Sequence, residues 1–336
     1  MTFINKFDTL IKKSNNCTTK ISLNNGIILS NLNLDMKLLS SKKIMYGNYS
    51  FIDYWFDINE DDSIYGIVTT KDKGLFYIYI TDKVIVKNNI FKYDYKLFSI
   101  KFTYIKNFNK TSHMFYYLIN KRQNNICVLT HNYKTDKGWV QCEIDSIPYN
   151  ILTNFVITFE DFTPSIFYFK IINGFEELFV STFDLNTNTW SSPLQITNSH
   201  KPKIYLCVIK DSNKHYQIVF SENNYDRYYC SYITGYIENN MFIFINSRIL
   251  SNSVTCIFPN VLEHNREILV QWIEYANLNT CTSCDYGKTW SIINDTSAEL
   301  PFICCNYKSN CNSDDVLNSF VIFSYENSID VLGTKN

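Results

Sequence analysis

The sequence repeats itself with a period of about 51 residues, and this repeat limits the possible folds more than any other feature. Each repeat contains an apolar run of the β-strand type. The successive runs begin 51, 51, 50, 52 and 52 residues apart, at Ile64, Phe115, Ile166, Tyr216, Ile268 and Phe320. A second apolar run follows each of them after a short polar turn, which is typical of a β-hairpin. The repeated unit therefore contains at least two antiparallel strands.

Two further runs flank the hairpin in most units, which brings the predicted number of strands per unit to four. The last run begins at Trp139, Trp190, Met241 and Trp290, so a large side chain recurs at one position of the repeat. Each strand with its turn then takes roughly 13 residues, which is the proportion of a β-propeller blade. We predict an all-β fold, a six-bladed antiparallel β-propeller of four-stranded blades.

The unit boundaries predict one propeller domain over residues 19–336, with blades near 48–97, 98–150, 151–201, 202–252, 253–299 and 300–336. The sixth unit contains only three strand-like runs, whereas residues 19–47 precede the first unit and include a strand-like segment. We expect this N-terminal strand to close the ring by completing the sixth blade. The apolar residues Ile4, Phe7 and Ile11 have helical spacing, which predicts a short helix within residues 1–18.

Composition agrees with a β-rich chain, because 25 Phe and 25 Tyr accompany only two Ala. A genome rich in A and T would produce a similar bias with any fold, so the repeat carries the prediction. The 31 basic and 32 acidic residues give a net charge of −1, which disfavours nucleic acid and anionic membranes as partners. The N-terminus lacks an uninterrupted apolar stretch, so we expect a cytoplasmic chain, and we expect a monomer.

A specific motif lies between the third and fourth strands of the fifth unit. It reads Ser283-Cys-Asp285-Tyr-Gly287-Lys-Thr289-Trp290. The carboxylate can accept turn N–H groups, Gly287 can take a positive φ, and Trp290 can pack between blades, so a structural role is expected. The motif resembles the Asp box (BNR repeat) of the sialidase-like six-bladed β-propellers. The paired glycines of kelch repeats and the Trp-Asp dipeptide of WD repeats do not fit this sequence, which has nine Gly and no such dipeptide.

The resemblance implies a ligand site on the face opposite the Asp box. Sialidases clamp a carboxylate with three arginines, but this chain has four Arg in total and none before Arg122. The clamp is therefore incomplete, and we assign no catalytic residue. The opposite face collects the turns between second and third strands, and its ligand-binding candidates are Asp72, Arg122, Glu176, Glu222, Asp226, Arg227, Tyr275, Tyr325 and Glu326.

These observations favour a non-catalytic binding or assembly module that presents a glycan or protein site at the loop-rich face. The alternative is a glycoside hydrolase of the sialidase-like superfamily that uses acidic residues at that face. Glu160, Asp161, Glu176 and Glu222 are the candidates for a carboxylate pair. A convergent pair in a pocket would favour the hydrolase, whereas a lining of aromatic rings and amides would favour binding.

The 11 cysteines invite a metal site, since Cys281 and Cys284 have the spacing of a zinc pair. Three positions apart on a strand, however, their side chains point to opposite faces. We expect buried thiols and no metal. The five histidines show no ligand spacing, and we find no phosphate-binding loop, so no cofactor is expected.

Overall fold

The computed structural model describes residues 3–72, 74–108, 111–123, 125–252, 255–296, 301–311, 317–326 and 331–334. Within these ranges the chain forms 28 β-strands and one turn of 3-10 helix, so the predicted all-β class is confirmed. The strands assemble into six antiparallel sheets, the blades of a β-propeller, which confirms the six-bladed prediction.

The N-terminal strands β1 to β4 span Phe3–Lys12, Thr18–Leu23, Gly26–Leu32 and Leu38–Tyr46, and the helical turn lies at Phe51–Asp53. Blade 1 consists of β5 to β8, at Tyr54–Ile58, Ile64–Thr70, Gly74–Ile80 and Ile85–Phe91. Blade 2 consists of β9 to β12, at Phe98–Asn107, Ser112–Asn120, Ile126–Thr135 and Gly138–Pro148. Blade 3 consists of β13 to β17, at Val156–Glu160, Thr163–Ile172, Phe175–Asp184, Thr189–Trp190 and Leu194–Gln195.

Blade 4 consists of β18 to β21, at Lys203–Lys210, Tyr216–Asn224, Arg227–Glu238 and Met241–Ile249. Strands β22 to β25 span Ile257–His264, Glu267–Glu274, Asn277–Ser283 and Asn294–Thr296. The C-terminal strands β26 to β28 span Phe302–Ser309, Leu317–Asn318 and Val321–Tyr325. Blade 5 contains β22 to β25 together with β27, and blade 6 contains β26 and β28 together with β1 to β4.

The chain divides into two compact units. Unit 1 comprises residues 1–6, 150–305 and 315–336, and unit 2 comprises residues 7–149 and 306–314. Each unit has its own apolar core between neighbouring blades. Trp272 and Tyr232 pack in the core of unit 1, and Tyr65 and Tyr116 pack in the core of unit 2. Blades 3 to 5 therefore belong to unit 1, and blades 1 and 2 belong to unit 2.

The 51-residue period reflects the second strand of each blade. Every residue of β6 is buried, as are the first six of β19, because these strands have neighbours in the sheet and packed blades on their faces. The fourth strands β8 and β21 are largely exposed and correspondingly more polar. The uninterrupted apolar runs are thus the positions where burial is most complete.

The N-terminal segment differs from its prediction. Residues 3–12 form β1 and not a short helix, because their backbone groups pair with β2, with Thr9 opposite Ile21, and Leu10 and Ile11 are buried in that sheet. Closure by an N-terminal strand is confirmed, but the strand is β1, and residues 18–46 add three more strands to the same sheet. The Asn310 N–H donates to the Lys12 carbonyl at 3.0 Å, which ties the two ends of the chain together within unit 2.

Candidate functional site

The predicted ligand-binding residues share one position in the blades. Seven of the nine lie at or beside the turn between a second and a third strand, and Tyr325 and Glu326 lie at the end of β28. Asp72 and Arg122 belong to unit 2, whereas the other seven belong to unit 1. Ligand contact by these residues stays a prediction, and each unit is considered separately below.

A pocket of about 470 Å³ opens beside Asp72 in unit 2. Its lining combines aromatic rings with polar and charged groups, namely Phe76, Tyr93 and Tyr95 with Asp72, Asn89, Lys92 and Asp94. These residues come from the turn before β7, from β7 and β8, and from the connection between β8 and β9. The volume falls within the range of small-ligand sites, which are mostly apolar pockets with a few convergent polar groups.

The wall of the pocket at residues 92–95 is fixed by hydrogen bonds. The Tyr93 hydroxyl donates to the Thr70 carbonyl at 3.1 Å, and the Lys121 Nζ donates to the Tyr95 carbonyl at 2.5 Å. Burial, aided by the nearby charge of Asp53, raises the pKa of Tyr93, which keeps its phenol neutral and able to donate. The Asp94 Oδ1 accepts the Lys96 N–H at 2.8 Å, which is an Asx turn.

Gly74 begins β7, two residues before the pocket residue Phe76. Its φ is +106°, and a Cβ at this position would collide with the Phe91 carbonyl oxygen. Only glycine therefore allows β7 to start this close to the end of β8, immediately before Lys92. Gly74 thus allows β7 to pair with its neighbours in the hairpin, and the same strand places Phe76 at the pocket.

Arg122 lies on the exposed turn between β10 and β11, where its N–H donates to the Asn120 Oδ1 at 3.0 Å. It is not among the residues that line the pocket. Its neighbour Lys121 contacts the pocket wall through its Nζ, which donates to the Tyr95 carbonyl, and its N–H donates to the Leu97 carbonyl at 2.8 Å just beyond the wall. Ligand contact by Arg122 therefore stays a prediction, and the hydrogen bond to a pocket residue comes from its neighbour Lys121.

In unit 1 a buried ion pair joins the start of β15 in blade 3 to the start of β18 in blade 4. The Lys203 Nζ lies 2.9 Å from the Glu177 Oε2, and the two side chains are 0% and 1% exposed. The Lys203 ammonium also donates to the Glu176 and Lys201 carbonyls, each at 2.8 Å, so three acceptors surround its three N–H bonds. The predicted residue Glu176 therefore contributes its backbone, whereas Glu177 contributes the charge.

Glu177 is held in its ionised form. Burial alone would raise its pKa, but hydrogen bonds from the Thr197 hydroxyl and the Lys203 ammonium, a third from the His200 N–H, and the Lys203 charge hold the pKa below its usual value. The Thr197 Oγ1 lies 2.5 Å from the Glu177 Oε2, and the His200 N lies 2.7 Å from the Glu177 Oε1. The carboxylate thereby fastens the connection between β17 and β18 to the start of β15.

Glu222 lies beside this ion pair at the end of β19, and its side chain is 13% exposed. Its Oε2 accepts the Ser199 hydroxyl at 2.8 Å and lies 3.7 Å from the Lys203 Nζ, while its Oε1 lies 3.8 Å from the Lys201 Nζ. Both oxygens therefore already have donors or cations within reach. The carboxylate stabilises the same connection that Glu177 fastens.

The remaining predicted residues of unit 1 lie further out. Asp226, with a φ of 62°, lies in the exposed turn between β19 and β20, and the exposed Arg227 begins β20. The Asp226 N–H donates to the Asn223 Oδ1 at 3.2 Å. Tyr275, with a φ of 47°, is 69% exposed in the turn between β23 and β24. Tyr325 is half-buried, and the Glu326 Oε1 pairs with the Lys6 Nζ at 3.1 Å.

The turn Ser283–Trp290 is a closed network of local hydrogen bonds. The Asp285 carboxylate accepts the Ser283 hydroxyl at 2.8 Å and the Thr289 hydroxyl at 2.6 Å, and its Oδ1 also accepts the Thr289 N–H at 2.8 Å. These bonds, led by that from the Thr289 side chain, lower the pKa of Asp285 to about 2. Gly287 has a φ of +87°, and the Trp290 ring packs edge-on against Tyr232 with centroids 4.8 Å apart. All of these contacts are made within the chain, and a structural role for the motif stays a prediction.

The described part of the chain holds no group of three or more His, Cys, Asp or Glu arranged to bind a metal ion. Cys281 is buried as expected, whereas Cys284 is exposed and its thiol lies 3.3 Å from the Glu267 Oε1. Burial raises the pKa of Cys281 to about 12, so this thiol is protonated at neutral pH. Over the same residues, no helix has the length and hydrophobicity that crossing a membrane requires.

The sequence reasoning missed a histidine pair in blade 2. His113 and His131 face each other from β10 and β11, with the His113 Nδ1 3.0 Å from the His131 Nε2 and the two rings stacked 5.2 Å apart. Burial lowers the pKa of His113 to about 4, and burial together with His113 lowers that of His131. The neutral imidazoles therefore act as core side chains. Their separation of 18 residues gives no ligand-like spacing in the sequence.

No protein-family model matches this chain, and no curated protein matches it. Several solved structures resemble it in fold. A polysaccharide lyase of family PL25, an ulvan lyase, is 9% identical with a TM-score of 0.62, and the match covers 96% of this chain and 93% of the lyase.

Two further structures have TM-scores of 0.54. The α-L-arabinofuranosidase Arb93A of Fusarium graminearum is 11% identical, and the match covers 81% of this chain and 92% of that enzyme. The propeller of Dos1 is 8% identical, and the match covers 84% of this chain and 68% of that one. At such low identity these likenesses establish the propeller fold and nothing about activity.

Proposed function

We propose that this propeller is a non-catalytic glycan-binding module whose ligand occupies the pocket beside Asp72. The observation that carries the proposal is the composition of that pocket. Phe76, Tyr93 and Tyr95 offer rings on which the C–H face of a sugar can pack, while the remaining polar groups can bond hydroxyls. The wall is fixed before binding, which lowers the entropy cost of binding.

The charges of the pocket favour a neutral glycan. Asp72 and Asp94 carry two negative charges against the single positive charge of Lys92, so the lining has a net charge of −1. A sulfated or uronic sugar would be repelled, whereas a neutral sugar offers vicinal hydroxyls that a carboxylate accepts in pairs. Structures that share the fold include α-L-arabinofuranosidases solved with arabinobiose, which supports sugars as the ligand class.

Glycoside hydrolysis is the second candidate, because Asp72 and Asp94 both line the pocket and hydrolases use two carboxyl groups. Two observations weigh against it. Asp94 is engaged in an Asx turn through its Oδ1. In unit 1, Glu177 is ionised in a buried pair and Glu222 is bonded to Ser199, so neither is placed to donate a proton to a leaving group.

The test is a glycan array that contains neutral, sulfated and uronic oligosaccharides, probed with wild type, Asp72→Asn and Tyr95→Ala. Binding restricted to neutral sugars and lost in both variants supports the proposal. Asp136→Asn is the matched control, because Asp136 is an exposed aspartate in a turn of the same unit and lies outside the pocket. Equal binding by all variants, or a preference for sulfated glycans, contradicts it.

A panel of fluorogenic glycosides distinguishes binding from catalysis when it is incubated with wild type, Asp72→Asn, Glu222→Gln and Asp136→Asn. The proposal expects no turnover by wild type. Turnover that collapses in Asp72→Asn makes the protein a hydrolase that uses the unit 2 pocket, and collapse in Glu222→Gln places the chemistry in unit 1. Asp136→Asn again controls for general effects of an aspartate substitution.

A further inference from the structure

Three first strands carry an aromatic residue in a left-handed backbone conformation. Phe102 on β9, Tyr205 on β18 and Phe258 on β22 have φ values of 53°, 58° and 51°. Each lies where the pairing with the second strand shifts register, which marks a β-bulge. A bulky L-residue at such a φ is a genuine outlier, because its Cβ crowds the backbone.

Two of these residues meet in unit 1. The Tyr205 and Phe258 rings have centroids 4.7 Å apart, and Phe3 extends the row with its centroid 5.8 Å from that of Phe258. All three side chains are half-buried, so part of each ring faces solvent. Phe302 is fully buried and packs against Phe3, with the two ring centroids 5.6 Å apart. The left-handed backbone at Tyr205 and Phe258 thus directs their two rings differently from the side chains of a regular strand.

The polar groups next to this ring row balance in charge. Lys203 is two residues before Tyr205 on β18, and its ammonium is neutralised by Glu177, while Lys201 and Glu222 form a second cation–anion pair. Burial raises the pKa of the Tyr205 phenol, and the nearby Tyr228 raises it as well, so this phenol is neutral at pH 7. The charges of the two ion pairs cancel, which favours a neutral ligand over an ionic one.

We propose that the ring row Phe3–Phe258–Tyr205 is a second glycan site, on which a neutral sugar residue stacks. This inference rests on the proposed function, because it assigns the same ligand class to a different unit. The three neighbouring rings supply an apolar face on which the C–H groups of a sugar can pack. Strained residues persist where a site needs them, and here the strain holds the rings in place.

The key variant is Tyr205→Asn. Asparagine tolerates the left-handed conformation better than any other residue with a Cβ, so Tyr205→Asn removes the ring without adding strain. We expect it to be more stable than Tyr205→Ala, and both variants to lose affinity at this site by about tenfold, the value of an aromatic contact. Tyr205→Phe keeps the ring and should retain binding. Phe102→Asn is the matched control, because Phe102 has the same backbone but belongs to unit 2.

Calorimetric titration with neutral oligosaccharides of two to six residues separates this inference from the proposed function. Both proposals are supported if wild type binds at two sites per chain, Asp72→Asn keeps only the ring-row site, and Tyr205→Asn keeps only the pocket site. Binding that survives Asp72→Asn but is lost in Tyr205→Asn supports the ring row and refutes the pocket. One site that is lost in Asp72→Asn and unchanged in Tyr205→Asn overturns the ring row alone. Absence of binding to every oligosaccharide overturns both, as does binding unaffected by either variant.

Discussion

The substitution Lys203→Met tests the energetic account of unit 1 most sharply. Methionine keeps the length of the apolar stem but removes the ammonium, so Glu177 loses the countercharge that lies 2.9 Å from its Oε2. The Glu176 and Lys201 carbonyls lose a donor as well. Removing one partner of a buried ion pair costs about 3–5 kcal/mol, because the remaining charge stays buried. We expect a loss of unfolding free energy of this size at pH 7.

The assay is urea unfolding followed by circular dichroism, with the double variant Glu177→Gln/Lys203→Met as the control. Glutamine carries no charge, and its single Oε1 can accept the His200 N–H while its NH2 group donates to the Thr197 hydroxyl oxygen. The double variant should therefore be destabilised less than Lys203→Met alone. A loss below about 1 kcal/mol for Lys203→Met would refute the reasoning, given the magnitude expected for a buried pair. A double variant as unstable as the sum of the single variants would refute it too.

The pH dependence of Lys203→Met adds a second check. The folded-state pKa of Glu177 lies below its unfolded value, so its charge stabilises the fold above the unfolded pKa, and this contribution is lost as pH falls through the folded pKa. Without Lys203 the folded pKa of Glu177 rises, because a stabilising cation is gone. The carboxyl then protonates at a higher pH, and the destabilisation caused by Lys203→Met should be smaller at pH 4 than at pH 7.

Three further substitutions have defined outcomes. Asp285→Ala should lower the unfolding free energy by about 1 kcal/mol without changing glycan affinity, since three of its four local hydrogen bonds are exposed and one is partly buried. An unchanged melting temperature would contradict its structural role. His113 has a folded pKa of about 4, below its unfolded value, so unfolding free energy should fall as pH drops from about 6.5 to 4. A His113→Gln/His131→Gln variant should show a flatter pH profile, and an equally steep one would argue against these histidines as the source. Gly74→Ala should lower the melting temperature by several degrees and weaken sugar binding, because its Cβ would displace the Phe91 carbonyl beside the pocket; wild-type behaviour in both assays would remove that argument.

The blades could be predicted because their second strands repeat as uninterrupted apolar runs. Because β6 and most of β19 are buried, these positions carry mainly apolar residues, and the 51-residue period is therefore visible in the sequence. The N-terminal segment could not be predicted in the same way. Three apolar residues, Ile4, Phe7 and Ile11, suit a helix or a strand, and the strand partner β26 lies about 300 residues further along the chain. Local spacing cannot report a pairing over that distance.

The candidate sites were only partly visible in the sequence. The repeat predicts the positions of the turns between second and third strands. Asp72 is selected in this way, and so are Glu176 and Arg122, which are adjacent in sequence to Glu177 and Lys121. The choice between Glu176 and Glu177 depends on strand parity, since consecutive side chains point to opposite faces and a shift of one residue exchanges them. The pocket wall at residues 92–95 lies in a connection between blades, where no periodicity guides an assignment.

The same limit applies to the ring row. Phe102, Tyr205 and Phe258 look like ordinary strand aromatics in the sequence, since a bulge depends on pairing that only the folded sheet shows. Neighbouring polar residues gave no signal either. Lys203 was one of 31 basic residues, and its burial becomes apparent only when blades 3 and 4 are placed side by side within unit 1.

The central claim is that a neutral sugar binds in the pocket beside Asp72. The most direct measurement is the dissociation constant of the best neutral oligosaccharide from the array, determined by calorimetry for wild type and Tyr95→Ala in parallel. We expect the affinity to be about tenfold or more weaker in Tyr95→Ala, since one stacking ring is lost, and to be unchanged in Asp136→Asn. An identical dissociation constant in wild type and Tyr95→Ala would contradict the claim and place the sugar elsewhere.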